Sequence, residues 1–136
     1  MAEWFIDTNV FLRHLTQDHA EYSPRATAFF ARIERAELKA QTAETAIFGA
    51  VFTLERRYRA AKSVIREGLL SLIELPGLVI SGKQRLRRAF DLYIDHNMSF
   101  GDAYQVALME QLGIEEIATF DKGFDRVPGI RRVEPA

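Results

Sequence analysis

Three aspartates separated by long stretches of chain are the residues best suited to chemistry in this sequence. Asp7 follows the apolar run "WFI", Asp121 follows "EIATF", and Asp102 stands in the segment "SFGDA". Carboxylate oxygens are ligands that suit Mg²⁺ and Mn²⁺ in proteins. Clustered like charges are costly unless a cation neutralises them, so these aspartates, brought to one place, would indicate a site for a divalent metal ion.

Each aspartate also has an ordinary structural explanation. Asp7 could cap a helix that begins near Val10, because aspartate favours the turn before a helix. Asp102 follows Ser99 by three residues, as the acid of a capping box does, and the helix dipole favours a first-turn acid. Asp121 could cap the turn at 122–124. The sequence leaves both explanations open for each residue taken alone.

The chain around these residues alternates between short apolar segments and amphipathic ones. The predicted strands are 4–6, 38–42, 78–80, 116–120 and 130–133. Helical spacing of apolar residues and stop signals predict helices over 10–15, 24–36, 43–59, 62–75, 83–97 and 99–113. Ser23 as N-cap and Pro24 at the first position mark one helix start. Ser99 and Gly113 mark the two ends of the last helix.

This alternation predicts an α/β fold in one domain covering residues 1–136. Strands that alternate with helices are joined by right-handed crossovers, which gives a parallel sheet, here of four or five strands, covered on both faces. The carboxyl ends of parallel strands lie along one edge, and functional sites are built there. That edge would receive Asp7 and Asp121, and a helix that starts near it could add Asp102.

Composition narrows the classes of function. A chain of 136 residues that is 48% hydrophobic suits a single domain with a real core. Its 18 basic and 19 acidic residues nearly cancel, so overall charge argues neither for nor against nucleic acid. The absence of cysteine excludes disulfides, zinc–thiolate sites and thiol catalysis. With no signal peptide and no apolar run of about 20 residues, we expect a cytoplasmic protein.

A resemblance to a known family becomes specific when the motifs are taken together. The segments "FIDTNVFLR", "SFGDAYQVALMEQLG" and "IATFDKGFDRVPGI", in this order and over this length, resemble a PIN domain. Within that family the sequence is similar to the VapC-type toxin ribonucleases of bacterial toxin–antitoxin pairs. The resemblance implies a three-layer α/β/α sandwich whose acidic pocket binds Mg²⁺ or Mn²⁺ and cleaves RNA. By position, it implies metal ligation by the three aspartates and supporting roles for Asn9 and Thr119, with Asp125 as a weaker candidate.

One departure from the family pattern concerns a glutamate inside the helix after the second strand. In the family pattern this glutamate precedes the segment that corresponds to "VFTLERRY". The matching position here is Gly49, which offers no ligand. Glu44, five residues earlier, could replace it, because at about 100° per residue it falls on the apolar face of the helix. Its ordinary explanation is a first-turn acid favoured by the helix dipole. Family register and helical wheel disagree, and both positions stay open.

The leading hypothesis is therefore a metal-dependent endoribonuclease in which a metal-activated water attacks phosphorus. The resemblance implies products with a 5′-phosphate and a 3′-hydroxyl. An alternative is a PIN-fold binding module whose site is degenerate because of Gly49. A receiver-like phosphoryl-transfer domain fits poorly, since it needs adjacent acids at the end of the first strand and a suitably placed lysine.

The partners follow from the same hypothesis. RNA must be met by cations, and two basic runs qualify, "ERRYRAAK" at 55–62 and "KQRLRR" at 83–88, although either could be an ordinary solvated helix face. If either run contacts phosphates, RNA affinity should fall with added salt. The resemblance further implies a small antitoxin protein that fills the acidic pocket with a basic side chain, and a homodimer. No membrane partner is expected.

Overall fold

The computed structural model describes residues 2–136, which form five short strands and six helices. The strands are β1 (Trp4–Phe5), β2 (Ala40–Gln41), β3 (Leu78–Val79), β4 (Glu116–Ala118) and β5 (Arg131–Val133). The helices are α1 (Thr8–Thr16), α2 (Tyr22–Glu34), α3 (Glu44–Arg56), α4 (Lys62–Ile73), α5 (Lys83–Asp95) and α6 (Phe100–Leu112). A 3₁₀ turn covers Lys122–Arg126.

The first of two compact units extends to Lys83 and contains a parallel sheet of three strands in the order β1-β2-β3. Phe5 pairs with Gln41, and Gln41 pairs with Val79. The pairing of the first two chain segments continues past the strands, because the Ile6 N–H donates to the Gln41 carbonyl at 2.8 Å and the Thr42 hydroxyl donates to the Ile6 carbonyl at 2.8 Å. The segments that lead into α1 and α3 therefore leave the sheet side by side.

Helices α1 and α2 of this unit pack through aromatic side chains. The rings of Phe11 and Phe30 lie 5.3 Å apart, and the His14 ring lies 5.2 Å from Phe30. Both phenylalanines are buried, as is Ile33 on the same face of α2. Complete burial of such a side chain stabilises a fold by about 1.5–3 kcal/mol, so this contact fixes α1, and with it the residues at its start.

The second unit runs from Gln84 to Ala136. Strands β4 and β5 pair in parallel, with Glu116 opposite Arg131. Helices α5 and α6 are joined by an aromatic cluster in which the Phe100 ring lies 4.5 Å from Phe90 and 5.6 Å from Tyr93. These rings are buried, so the start of α6 is anchored to α5.

The α/β class and the parallel pairing predicted from the sequence are confirmed. Every predicted strand and helix is present, each with slightly different bounds, and the strands are shorter than expected. Backbone hydrogen bonds group the described strands as a sheet of three and a sheet of two. The expectation of a single domain stays a prediction. Among the described residues, no helix combines the length and hydropathy needed to cross a membrane.

The predicted start of the second helix is wrong. Helix α2 begins at Tyr22, so Ser23 lies inside it rather than at its N-cap. The reason is an acceptor supplied from outside the helix: Nδ1 of His19 accepts hydrogen bonds from the N–H groups of Glu21 (3.2 Å) and Tyr22 (2.9 Å). The Ser23 hydroxyl instead accepts from the His19 N–H at 3.1 Å.

Candidate active site

Asp7 lies just beyond the carboxyl end of β1, at the N-cap position of α1. Its backbone conformation, φ −84° and ψ 159°, is the one a capping residue adopts, yet its side chain makes no capping hydrogen bond. The carboxylate is exposed to solvent and has no hydrogen bond or ion pair with any residue of the described chain. The capping explanation for Asp7 is therefore wrong for its side chain, which is available to a ligand.

The residue after Asp7 contacts helix α3. The Thr8 hydroxyl donates to the Ala46 carbonyl at 3.1 Å, so the start of α1 is fixed against the first turns of α3. Gly49 faces the same side chain, because a Cβ built there would lie 3.1 Å from Thr8 Oγ1 and 3.3 Å from Thr8 Cγ2. These distances are shorter than ordinary van der Waals contact. Glycine at position 49 is what allows the two helices to approach this closely.

Glu44 is the first residue of α3 and lies near the edge of the sheet that bears Asp7. Phe5 pairs with Gln41. Asp7 lies two residues after Phe5, and Ala43, the residue before Glu44, lies two residues after Gln41. The Glu44 side chain is half-buried and its Oε2 atom is buried. Its position in the first turn of α3 also satisfies the dipole explanation, so its role as a substitute ligand stays a prediction.

Asp102 lies in the first turn of α6, in the second unit. The Ser99 hydroxyl accepts a hydrogen bond from the Asp102 N–H at 3.2 Å, which confirms Ser99 as the N-cap. The return bond of a capping box, from the acid to the backbone of the cap residue, is not formed. The half-buried Asp102 carboxylate has no hydrogen bond or ion pair with the residues of 2–136. Ser99 caps the helix, and the Asp102 carboxylate is not needed for it.

Asp121 follows β4 and caps the 3₁₀ turn. Its Oδ1 accepts a hydrogen bond from the Gly123 N–H at 2.8 Å, so the capping explanation holds for one of its two carboxylate oxygens. The Thr119 hydroxyl accepts from the Asp121 N–H at 3.0 Å. Thr119 and the turn together fix the orientation of Asp121, whose Oδ2 makes no hydrogen bond to the described chain.

Asp125 is engaged elsewhere. Its Oδ1 lies 3.3 Å from Nε of Arg132, and the same guanidinium donates to Glu134 at 2.7 Å. The hydrogen bonds that Arg132 donates to Glu134 and to Asp125 raise the pKa of Arg132 above its ordinary value. An ion pair accounts for this carboxylate, which makes Asp125 the least available of the predicted site residues.

Asn9, the remaining predicted site residue, is exposed on the first turn of α1. It lines a groove of about 470 Å³ together with Trp4, Phe5 and Arg13. Arg13 pairs with Asp18 at 3.0 Å, just past the end of α1. This groove is lined mainly by apolar and basic side chains, so it is not the acidic pocket that the sequence predicts.

The sequence of the chain matches one family over nearly its whole length. The sequence model of the PIN domain matches residues 4–130. The chain belongs to the PIN domain family. Among solved structures, this PIN domain is similar to that of VapC20 from Mycobacterium tuberculosis, described as a toxin that cleaves the sarcin–ricin loop. The two share 19% identity with a TM-score of 0.42, and the match covers 98% of this chain and 100% of the other. No curated protein matches the sequence.

The carboxylates of this PIN domain have the right chemistry for Mg²⁺ or Mn²⁺, since both ions take oxygen ligands. Within residues 2–136, however, no three histidine, cysteine, aspartate or glutamate side chains form a group that could hold a metal ion. Metal ligation by Asp7, Asp102 and Asp121 therefore stays a prediction. The contact of Thr8 with Gly49 was not predicted from the sequence. The signal available was a glycine inside a helical pattern, which costs helix stability and for which close packing of another element is one reason.

Proposed function

We propose that this PIN domain is a metal-dependent endoribonuclease of the VapC toxin type. Membership of the PIN family supports a nuclease, and the ordered motifs "FIDTNVFLR", "SFGDAYQVALMEQLG" and "IATFDKGFDRVPGI" support the toxin type. The substrate is RNA, and by the same resemblance cleavage leaves a 5′-phosphate and a 3′-hydroxyl. Asp7, Asp102 and Asp121 are the catalytic residues in this proposal.

The observation that carries the proposal is the state of the Asp7 side chain. Aspartate at an N-cap ordinarily bonds to the first turn of its helix, and loss of that bond costs about 1 kcal/mol. Asp7 has the backbone conformation for this bond and does not make it. A carboxylate that is kept out of its local hydrogen bond, at the carboxyl end of a parallel strand, is suited to bind a ligand.

Mg²⁺ or Mn²⁺ is the proposed cofactor, held by Asp7, Asp102 and Asp121. A divalent ion bound there would orient the scissile phosphate and lower the pKa of an attacking water. The protein contributes fixed carboxylates: Thr119 and the 3₁₀ turn orient Asp121, and Ser99 caps α6 so that the Asp102 carboxylate is not consumed. Asn9 supports the site from the first turn of α1, and Glu44 is the proposed substitute for the missing glutamate.

The proposed partners are an antitoxin protein and a second copy of the chain. An antitoxin with a basic side chain would neutralise the carboxylates and block the site. RNA cleavage and antitoxin binding both take place in the cytoplasm in this proposal. Each partner is part of the VapC assignment and fails with it.

The test is the variant Asp7→Asn, compared with Asp95→Asn as a matched control. Both carboxylates are exposed and neither is bonded to the described chain, so both variants should unfold at the wild-type urea concentration. With Mg²⁺ or Mn²⁺ and a labelled RNA, Asp7→Asn should lose at least a hundred-fold in cleavage rate, and Asp95→Asn should retain it. Undiminished cleavage by Asp7→Asn, in a preparation free of contaminating nuclease, would overturn the proposal.

A second candidate is a PIN-fold binding module without activity. Gly49 favours it, because the family glutamate is missing and the Thr8 side chain fills the space beside that position. The absence of a three-ligand group among residues 2–136 points the same way. Calorimetric titration with Mn²⁺ separates the two functions, since the enzyme should bind the ion and lose binding on Asp7→Asn, whereas the module should bind none.

A further inference from the structure

The two basic runs of the sequence differ in what their side chains do. In the second run, the Arg88 guanidinium forms a two-bond pair with the Glu110 carboxylate, at 2.9 and 3.1 Å. Arg85 donates to the Tyr104 hydroxyl at 2.9 Å and to the Gln111 side chain at 2.8 Å. Both arginines therefore connect α5 to α6, and their charges serve the fold.

The first run, at the end of α3, is not engaged in this way. Arg56, Arg57 and Arg59 are all exposed, and within residues 2–136 none of them forms an ion pair. The helix dipole favours Arg56 and Arg57 at the end of α3, but it gives no reason for Arg59, which lies two residues beyond the C-cap. Three positive charges within four residues create a local field that attracts polyanions.

An exposed aromatic ring extends this basic surface along α3. Phe52 is 55% exposed, and the guanidinium of Arg56 lies over its ring, 4.6 Å from the centroid. The pair presents a flat ring beside a planar cation on the protein surface. Proteins that bind single-stranded nucleic acid combine these two features, because bases stack on aromatic rings while cations contact the phosphates.

Arg59 is held in an unusual backbone conformation. Its φ is +52°, in the left-handed region that glycine and asparagine adopt more readily than arginine. The residue lies between α3 and α4 with its side chain exposed. Gln17, Ala36 and Asn97 also have positive φ, so this conformation places Arg59 in the turn between α3 and α4 and does not by itself indicate a site.

The surface also has a suitable position relative to Asp7, within the same unit. Gly49 faces Thr8, the neighbour of Asp7, and Phe52 lies one turn further along α3, followed by Arg56 after another turn. At 1.5 Å per residue, the distance along the helix from Gly49 to Arg56 is about 10 Å. Arg56 therefore lies about two helical turns from the position that contacts Thr8.

We propose that Phe52, Arg56, Arg57 and Arg59, the α3 basic surface, bind single-stranded RNA next to Asp7. This inference rests on the proposed ribonuclease function and deepens it by naming the residues that contact the substrate. The arginines contact phosphates and Phe52 stacks on a base. The α5 run does not take part.

The experiment measures the anisotropy of a fluorescently labelled single-stranded RNA, with EDTA present to prevent cleavage, over a series of salt concentrations. The triple variant R56Q/R57Q/R59Q is compared with R25Q/R32Q/R35Q, which removes the same charge from exposed arginines of α2 and its C-cap. The α3 triple variant should bind at least ten-fold more weakly than wild type at low salt. Its slope of log K against log salt should be shallower by up to about 2, since each phosphate contact on a single strand contributes about 0.7. The α2 variant should match wild type in both measurements.

Phe52→Leu provides a second, independent readout. It keeps an apolar side chain but removes the ring, so RNA affinity should fall about five-fold or more while the salt slope stays unchanged. Urea denaturation checks that all variants are folded. If the triple variant is not folded, the single variants Phe52→Leu and Arg56→Gln replace it in the binding measurements.

The outcomes distinguish a failure of the α3 basic surface from a failure of the proposed ribonuclease function. If wild type binds and cleaves RNA while the α3 triple variant binds as well as the α2 control, the surface is wrong and the ribonuclease stands. If the α3 variant keeps its RNA affinity but loses binding to an acidic protein, the surface belongs to a protein partner and the inference is overturned. Absence of any RNA binding by wild type overturns both proposals.

Discussion

The side chain of Thr8 lies where a side chain at position 49 would begin. A Cβ on Gly49 would stand 3.1 Å from Thr8 Oγ1, while that hydroxyl is held by the Ala46 carbonyl at 3.1 Å. The contact joins the start of α1 to the middle of α3. It gives a packing reason for glycine at the position where the family resemblance leads one to expect glutamate.

A double-mutant cycle tests this contact. Alanine in mid-helix is favoured over glycine by about 1 kcal/mol, but at position 49 the new methyl group meets Thr8. Gly49→Ala alone should therefore gain little or lose stability. In the Thr8→Ala background, where the two nearest atoms are gone, it should stabilise the protein by about 1 kcal/mol. Urea denaturation of the four proteins gives the coupling, and additive effects would mean that Thr8 does not restrict position 49.

The same contact changes what is expected of Gly49→Glu. If Gly49 is the family position, glutamate there should raise Mg²⁺-dependent cleavage. The crowding predicts that the gain appears in the Thr8→Ala background and is reduced or absent in wild type. Cleavage rates of the single and double variants, measured at equal folded fraction, decide the matter. No gain in either background would argue against the register.

Substitutions of Ser99 and Asp102 should have different effects: the first should lower the stability of the protein, and the second should abolish RNA cleavage. Ser99→Ala removes the hydrogen bond to the Asp102 N–H and should cost about 1 kcal/mol of unfolding free energy. Asp102→Asn should cost no more than about 0.3–1 kcal/mol, the value of a first-turn acid, but should abolish cleavage. Thermal unfolding and RNA cleavage are measured on both variants, the latter at a temperature where both are folded. Retained activity in Asp102→Asn would remove it from the site.

Asp18 should make stability depend on pH in acid. Hydrogen bonds from the hydroxyls of Tyr58 and Thr16, together with Arg13, lower its pKa from 3.8 to about 2. A folded-state pKa below the unfolded one stabilises the fold above about pH 4, and this contribution is lost as the pH falls towards 2. Urea denaturation between about pH 5 and 2.5 should show this loss in wild type.

The variant Asp18→Asn should show a shallower fall over the same pH range, and Tyr58→Phe an intermediate one, because Tyr58 makes the largest contribution to the lowered pKa. An unchanged slope in Asp18→Asn would mean that other carboxylates dominate the acid response.

Two glycines at opposite ends of α6 should respond in opposite directions to alanine. Gly113 ends the helix with φ +71°, where a Cβ is strained, so Gly113→Ala should destabilise the protein by about 1–2 kcal/mol. Gly101 lies within the helix, and a Cβ added there would meet no atom within 4 Å, so Gly101→Ala should stabilise it by about 0.4–1 kcal/mol. Thermal unfolding of both variants is the measurement, and a shift of the same sign in both would contradict this account.

The elements of the fold could be predicted because their signals are local. Ser99 and Gly113 bound α6 as the sequence indicates, since a cap and a left-handed terminator act within one turn. The start of α2 could not be predicted, because its acceptor is the ring of His19, a residue outside the usual capping set. Strand lengths were overestimated because apolar character continues beyond the paired residues.

The candidate site was predictable only in part. The sequence places Asp7 after a strand, but it does not show whether the carboxylate caps its helix, since that depends on a rotamer. Nor does it show that Arg88 is occupied by Glu110 while Arg56 is not, because such pairing depends on which helices pack together. The contact of Thr8 with position 49 joins residues that are far apart in the chain, and its local signal, a glycine inside a helical pattern, does not identify the partner.

The uncapped start of α1 has a consequence for how this protein would change under selection. The backbone at position 7 already has the N-cap conformation. A serine substituted there would accept a hydrogen bond from the first turn of α1, which would add about 1 kcal/mol to the free energy of unfolding. Selection for thermal stability alone should therefore replace Asp7 by serine, and the more stable variants would lack the carboxylate. Persistence of aspartate in warm-adapted lineages would be the mark of a second pressure acting on that residue.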